Sequence, residues 1–373
     1  MPHIVIDKIK NIDYPVKSGD VEFLFKAENL IGVKTPNAKF LIKVLPKEKG
    51  YLVKYDKITR PLISDIKKAY EEFVKLNEAN ILFENIKGIK EKLPNKNLLD
   101  ITSDLSDIDI VEVGFGSGRH LIHLAKENPD KIILGIEIHK PSIEQVLKRI
   151  EHEKIENIRV LNHDARIILS KIQSNRLSAI YVHFPVPWDK KPHRRVMNKD
   201  FINESIRTLK KDGFLHLRTD SPKYFNYSLN LFLDYDEIDI RIKKNRPYVV
   251  SSKYEDRWKK MNKDIFDIYM YNFTISEPLV ENFDFSFEKR LENLDFKPKI
   301  YNNFVIHIEK VFKIDETKEL IRATIGNFNR PEHIYILNKD KPEYFKMPAP
   351  IKENYEAHLE LKRLFNGDNS RCE

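Results

Sequence analysis

Three carboxylates fall where a ligand-binding crevice would need them. Glu112 stands inside an apolar run, Ile110-Val-Glu-Val113, directly before the turn Gly114-Phe-Gly-Ser-Gly118. Glu137 closes a second apolar run, Leu134-Gly-Ile-Glu137, and Asp164 follows a third, in Asn162-His-Asp-Ala-Arg166. The glycines at 114, 116 and 118 let the backbone turn sharply and approach a ligand with no Cβ in the way. Their G-x-G-x-G spacing is not the G-x-G-x-x-G of a dinucleotide site. Glu137 offers two acceptor oxygens, enough for both hydroxyls of a ribose. Asp164, next to Ala165, suits the exocyclic amine of an adenine, or else caps the helix that follows it. Glu112 is the most demanding of the three, because a carboxylate within a strand is costly unless something pairs with it. A sulfonium, or an amino-acid ammonium, would do so.

The elements that position these acids read as alternating strands and helices from residue 98 to 278. Strands are expected at 109–113, 131–138, 158–161, 179–183 and 213–219, with helices near 118–128, 141–152, 165–173, 198–211 and 222–233. That rhythm means a mostly parallel sheet covered on both faces, with ligands at the carboxyl ends of its strands. Two more strands, near 237–242 and 265–275, would pair antiparallel at one edge, giving seven in all. Residues 1–97 read as a β-rich extension, with a hairpin of 40–45 and 51–55 about Lys47-Glu-Lys-Gly50 and a helix after Pro61. Residues 279–373 read as a separate α+β module, with strands at 283–287, 304–312, 320–325 and 334–337 and a closing helix at 352–365.

Composition narrows the class. No apolar run approaches the ~18 residues that span a bilayer, and the first residues lack the layout of a signal peptide. The single cysteine, Cys372, excludes an intrachain disulfide and a cysteine-based metal cluster, as suits the cytoplasm. The histidines at 120, 123, 139, 163 and 183 do not suggest a metal-ligand set, and His120 with His123 reads as a pair on a helix surface. The 65 basic residues exceed the 57 acidic ones, a net charge of +8. That total fits either a polyanionic partner or a generally lysine-rich chain.

Its distribution is more telling. Lys190, Lys191, His193, Arg194 and Arg195 follow His183-Phe-Pro-Val-Pro-Trp188 at the end of the fourth strand. Residues 241–260 hold eight lysines and arginines against two acids, interleaved with Tyr248, Tyr254 and Trp258. Basic side chains among aromatic ones suit phosphate contacts and base stacking. Trp188 suits either packing of its loop or stacking on a substrate.

Residues 110–275 resemble the class I S-adenosylmethionine-dependent methyltransferases, and among them the bacterial tRNA (guanine-N7-)-methyltransferase family. The resemblance rests on Val111-Glu-Val-Gly-Phe-Gly-Ser-Gly118, Leu134-Gly-Ile-Glu-Ile-His139, His163-Asp-Ala165, Phe184-Pro-Val-Pro-Trp188, Arg218-Thr-Asp220 and Ser252-Lys-Tyr-Glu255 with Arg257. It implies a Rossmann-like domain and S-adenosylmethionine as cofactor, bound by Glu112, Gly114, Gly116, Gly118, Glu137, Asp164 and Ala165. It implies tRNA as partner, methylated on a guanine of the variable loop at position forty-six. Lys190, Arg194, Arg195, Asp220, Ser252, Lys253, Tyr254, Glu255 and Arg257 would touch that substrate. One departure stands out: the family usually carries an Asp where this chain has Val186, and that Asp is often assigned as catalytic. Asp220 or Glu255, helped by the backbone around His183, is expected to supply what Val186 cannot. A methyltransferase acting on another RNA or a small molecule, and a catalytically weak tRNA-binding protein, remain alternatives at this level.

Overall fold

A computed structural model describes residues 2–59, 61–86, 96–248, 263–279, 283–328 and 330–365. The chain begins with strands β1 (His3–Ile6), β2 (Val16–Ser18), β3 (Val21–Ala27), β4 (Leu30–Lys34), β5 (Lys39–Pro46) and β6 (Tyr51–Tyr55). Helix α1 (Ile63–Asn77) and strand β7 (Ile81–Glu84) follow. They form an antiparallel sheet in the order β2-β3-β4-β5-β6-β1-β7. The expected hairpin is β5 with β6, in register from Ile42 opposite Tyr55 to Pro46 opposite Tyr51. Alternation sets the buried side: Val21 and Phe23 face in, where α1 lays Ile66, Ala69, Tyr70 and Phe73 on the same core.

The middle of the chain is the alternating segment. Its elements run β8 (Leu98–Leu99), β9 (Ile108–Val113), α2 (Arg119–Glu127), β10 (Ile132–Ile136), α3 (Lys140–Glu153), β11 (Ile158–Leu161) and α4 (Ala165–Ile168). After a 3-10 turn at Leu169–Lys171 come β12 (Leu177–His183), α5 (Lys199–Thr208), β13 (Leu209–Thr219), α6 (Pro222–Phe232), β14 (Ile238–Lys244) and β15 (Phe266–Asn272). The sheet order is β14-β15-β13-β12-β9-β10-β11-β8. Six strands are parallel, and β15 runs antiparallel to both β13 and β14, as the sequence leads one to expect. The count is eight rather than seven because the two-residue β8 adds to β11. The helix expected at 165–173 is shorter, giving way to the 3-10 turn, and the helix expected to reach 211 stops at Thr208, where β13 begins.

The order in which strands are added reverses about β9, which has β10 on one side and β12 on the other, both parallel to it. That divergence opens a crevice at the carboxyl ends of β9 and β12, the place where doubly wound sheets bind ligands. Burial makes the frame rigid: Ile110, Val111, Ile133, Leu134, Val146 and Leu147 are at most 3% exposed.

Strands β16 (Lys299–Ile300), β17 (Phe304–Lys313), β18 (Glu319–Asn327), β19 (Glu332–Asn338) and β20 (Glu343–Tyr344) form an antiparallel meander in chain order, closed by α7 (Lys352–Phe365). No strand forms at 283–287. Phe285 and Phe287 do alternate into the core, but the segment joins no ladder: the pattern records burial and not pairing. The two outer segments, read from sequence as separate, form one compact unit, Met1–Lys92 with Asn282–Glu373, while Leu93–Glu281 forms the other. A shared core explains this, since Phe25, Leu30 and Leu41 pack with Phe312, Leu320, Tyr335 and Phe345.

Candidate active site

The glycine turn adopts the backbone that only glycine takes cheaply, with φ of 70° at Gly114, 53° at Gly116 and 69° at Gly118. The three have different surroundings. A Cβ on Gly118 would lie 2.3 Å from Val146 Cγ2, so this glycine lets α2 and α3 pack. A Cβ on Gly114 would meet nothing within 4 Å, so this glycine lines open space.

Glu137 ties the turn to the end of β10. Its Oε2 accepts from the Gly116 amide at 2.9 Å, and its Oε1 accepts from the amides of Ile138 and His139 at 2.8 and 2.9 Å. Three of about four acceptor positions are thereby used, leaving one on Oε2. Asp164 takes the capping position on α4, accepting from the Arg166 amide at 3.0 Å, and its carboxylate also pairs with the Arg166 guanidinium at 2.5 Å. That pairing holds the guanidinium above its ordinary pKa. Ala165 is buried beside it. Glu112 is only 3% exposed, and its Oε2 has no hydrogen bond among the described residues; His120 Nδ1 faces it at 3.3 Å.

On the other side of the crevice is the loop after β12. Phe184 and Trp188 have positive φ, and Val186 is 60% exposed at the loop's tip. Arg195, expected to face a substrate, is instead 7% exposed. It donates from Nε to the Pro187 carbonyl at 2.8 Å and lies 4.4 Å from the Tyr227 ring centre, which makes it a clamp on the loop. Arg194 lies 5.1 Å from the Trp188 ring centre, and Lys190 is exposed. Asp220, just past β13, pairs with Lys263 at 3.2 Å. Ser252, Lys253, Tyr254, Glu255 and Arg257 lie outside the described residues.

A family model described as a putative methyltransferase matches residues 106–268. A tRNA (guanine-N(7)-)-methyltransferase of Campylobacter jejuni is 39% identical over 98% of each chain. One of Wolinella succinogenes is 37% identical over 97% of this chain and 99% of its own, and one of Helicobacter pylori is 35% identical over 98% and 99%. The chain belongs to the tRNA (guanine-N(7)-)-methyltransferase family. The likeness to these family members runs through both outer segments, beyond the stretch in which the motifs lie.

Within this family member the crevice also holds a buried polar network that sequence reading missed. Strand register builds it. Glu112 pairs with Tyr181, Tyr181 with His216, and His216 with Tyr269 across β9, β12, β13 and β15, while His183 pairs with Arg218 and Arg218 with Asp267. Asp267 accepts from His216 Nε2 at 2.9 Å and takes Arg218 Nη1 on both oxygens at 2.6 Å. His216 Nδ1 lies 3.0 Å from His183 Nε2, and the His183 ring is 4.5 Å from that of His120. Tyr248 closes the group, with its hydroxyl 3.3 Å from His120 Nε2. His120 is thus 7% exposed and not part of a surface pair. Its position at the start of α2 gave no hint that chain beyond β14 returns to cover it.

The network's charge states follow from burial. Desolvation opposes ionisation of Asp267, but hydrogen bonds from His216 and Arg218 outweigh it and hold the carboxyl below its ordinary pKa. Burial pushes the imidazole of His216 down to about 4, and that of His183 well below its ordinary value. Both are therefore neutral when folded near pH 7, whereas an unfolded chain protonates them below about 6.5. The unfolded state then binds more protons between pH 6.5 and 4, so stability is full above 6.5 and falls as pH drops through this window. His216 alone accounts for about 3 kcal/mol by pH 4. Urea midpoints at pH 7.5, 6.5 and 5.5 should be level between the first two and lower at the third. A level series throughout would contradict these charge states.

Proposed function

We propose that this protein transfers the methyl group of S-adenosylmethionine to N7 of a guanine in the variable loop of tRNA, in the cytoplasm where that substrate resides. The observation that carries this reading is the Glu112 carboxylate, buried at the end of β9 with one oxygen lacking a hydrogen bond among the described residues. Such a group calls for a cation. The space before Gly114 and the acceptor position left on Glu137 Oε2 fit a nucleoside carried on that cation. The names of the relatives support guanine N7 of tRNA as acceptor.

S-adenosylmethionine supplies, when bound, an electrophilic methyl on a positively charged sulfur. Guanine N7 bears a lone pair and no proton, so its attack needs no general base. The work left to this chain is positioning and a prearranged field. Glu112 sets negative charge beside the donor's cationic part, and Glu137 and Asp164 hold the nucleoside end. Arg195 fixes the loop that carries Val186, while Lys190 and Arg194 are available to phosphates. Asp220, within its ion pair with Lys263, lends negative potential to the purine as it becomes positive. Glu255, with Ser252, Lys253, Tyr254 and Arg257, is assigned to the same substrate side by family resemblance. Incubation with labelled S-adenosylmethionine and undermethylated tRNA, followed by mapping of the modified base, tests the reading. Label on any base other than a guanine, or none at all, would overturn it.

Two glycines should respond in opposite ways. Gly118→Ala forces a Cβ into Val146 at positive φ and is expected to cost about 2–4 kcal/mol in urea unfolding. Gly114→Ala meets no neighbour, so it should cost only the backbone strain of about 1–2 kcal/mol. Its methyl group would project into the donor space, and calorimetry should record weakened binding of S-adenosylmethionine.

A further inference from the structure

The network beside Glu112 has a direction. Asp267 is ionised and can only accept, so His216 donates to it from Nε2. Neutral His216 then keeps its lone pair on Nδ1, which must accept from His183 Nε2 at 3.0 Å. Neutral His183 is left with its own lone pair on Nδ1, and that nitrogen makes no hydrogen bond among the described residues. Arg218 fixes the far end of the relay by holding both Asp267 oxygens. The near end is at the carboxyl terminus of β12, where the Phe184-to-Trp188 loop starts. Its ring lies among those of His120, Tyr181 and Tyr248, with centres 4.5, 5.5 and 5.3 Å away. His120 in turn stands against Glu112. A single imidazole lone pair is thus aimed by three buried residues beside the proposed donor site.

We propose that His183 Nδ1 accepts the N1–H of the target guanine, serving through a neutral imidazole the purpose of a carboxylate where the chain has Val186. This rests on the guanine-methylating function proposed above. Guanine is the purine with a hydrogen on N1; adenine has a lone pair there and would meet the lone pair of His183 with repulsion. Methylation at N7 places positive charge on the purine and makes N1–H more acidic. The hydrogen bond to His183 therefore strengthens between ground state and transition state, which is the condition for an interaction to speed the reaction. His216 and Asp267 are positioning residues: they select the tautomer and touch no substrate.

Two measurements test this. Nitrogen-15 spectra of histidine-labelled, ligand-free enzyme between pH 7 and 8 should show His183 with a proton on Nε2 and a bare lone pair on Nδ1; the opposite tautomer overturns the proposal. In kinetics, His183→Phe should lower kcat/KM for tRNA by about 10- to 100-fold, mostly in kcat, the range for losing a hydrogen bond to a group gaining charge. His183→Gln, which restores an acceptor oxygen, should recover part of that loss. Affinity for S-adenosylmethionine should stay within about twofold in both variants, since neither touches the donor's cation. A folded His183→Phe with kcat/KM near wild type overturns the proposal, as does a loss that merely follows donor affinity. Should both variants misfold, the wild-type spectra still decide. Wild type inactive on tRNA guanine overturns the proposed function as well, whereas active wild type with an indifferent His183→Phe overturns this inference alone.

Discussion

Glu112→Gln is expected to weaken S-adenosylmethionine binding by about 100-fold while leaving the ligand-free protein as stable as wild type or more so. The first half follows from pairing: a hydrogen bond to a charged group contributes about 1.5–3 kcal/mol, and more is lost when the surviving charge is left in a dry site. The second half follows from the free state. Glu112 is 3% exposed and one of its oxygens has no hydrogen bond among the described residues, so the folded protein bears its desolvation without full return. The amide keeps the shape and removes that cost. Most buried-residue substitutions lower stability and binding together; here the two should part. Titration calorimetry and thermal unfolding on one preparation would read both. S-adenosylhomocysteine, which retains the ammonium but carries a neutral sulfur, adds a discrimination. If the variant weakens both ligands equally, Glu112 pairs with the ammonium; if it weakens only the methyl donor, it pairs with the sulfonium. Unchanged affinity for both would refute a cation at Glu112.

Much of the candidate site's placement was legible because its signals are local. A glycine turn after an apolar strand forecasts its own backbone, and the three acids fall at the ends of β9, β10 and β11 as their spacing implies. What sequence could not supply was register. Glu112, Tyr181, His216 and Tyr269 meet only because β9, β12, β13 and β15 align those residues on one face. A hint was present: Phe214, His216 and Arg218 alternate with Leu215 and Leu217, and Asp267, Tyr269 and Tyr271 alternate with Ile268 and Met270. Alternation of polar aromatic with aliphatic residues marks two differently covered faces, not a core face and a wet face. Arg195 misled in a different manner. Its place in a basic run suggested phosphate contact, but its neighbours in space are the Pro187 carbonyl, the Asp189 carboxylate and two tyrosine rings of α6, and the rings are invisible in the run itself. The outer segments were likewise read apart because nothing in a linear pattern says that Phe25 and Phe345 share a core.

Asp267→Asn is expected to be the most destabilising conservative change in the methyltransferase unit, costing about 3–5 kcal/mol. Asp267 and Arg218 are each 1% exposed, and the carboxylate receives Arg218 on both oxygens and His216 on one. The amide leaves the guanidinium buried without a counter-charge, and that uncompensated charge is the main loss, not the missing bond. At about 2–4 °C per kcal/mol for a domain of this size, the melting midpoint should fall by roughly 10 °C. Removing both charges, with Arg218→Met and Asp267→Leu, should recover much of that stability, because a buried pair replaced by apolar groups of similar volume is often neutral. Recovery of stability should not bring recovery of activity. Arg218 also lies 5.0 Å from the Tyr248 ring centre and 6.0 Å from that of Phe184, so the ion pair holds the residues at the crevice as well as the strands beneath them. A double variant that is both stable and fully active would mean the pair serves the fold alone. A stable, inactive one would mean the chain keeps a costly buried ion pair for what it positions at the end of β12.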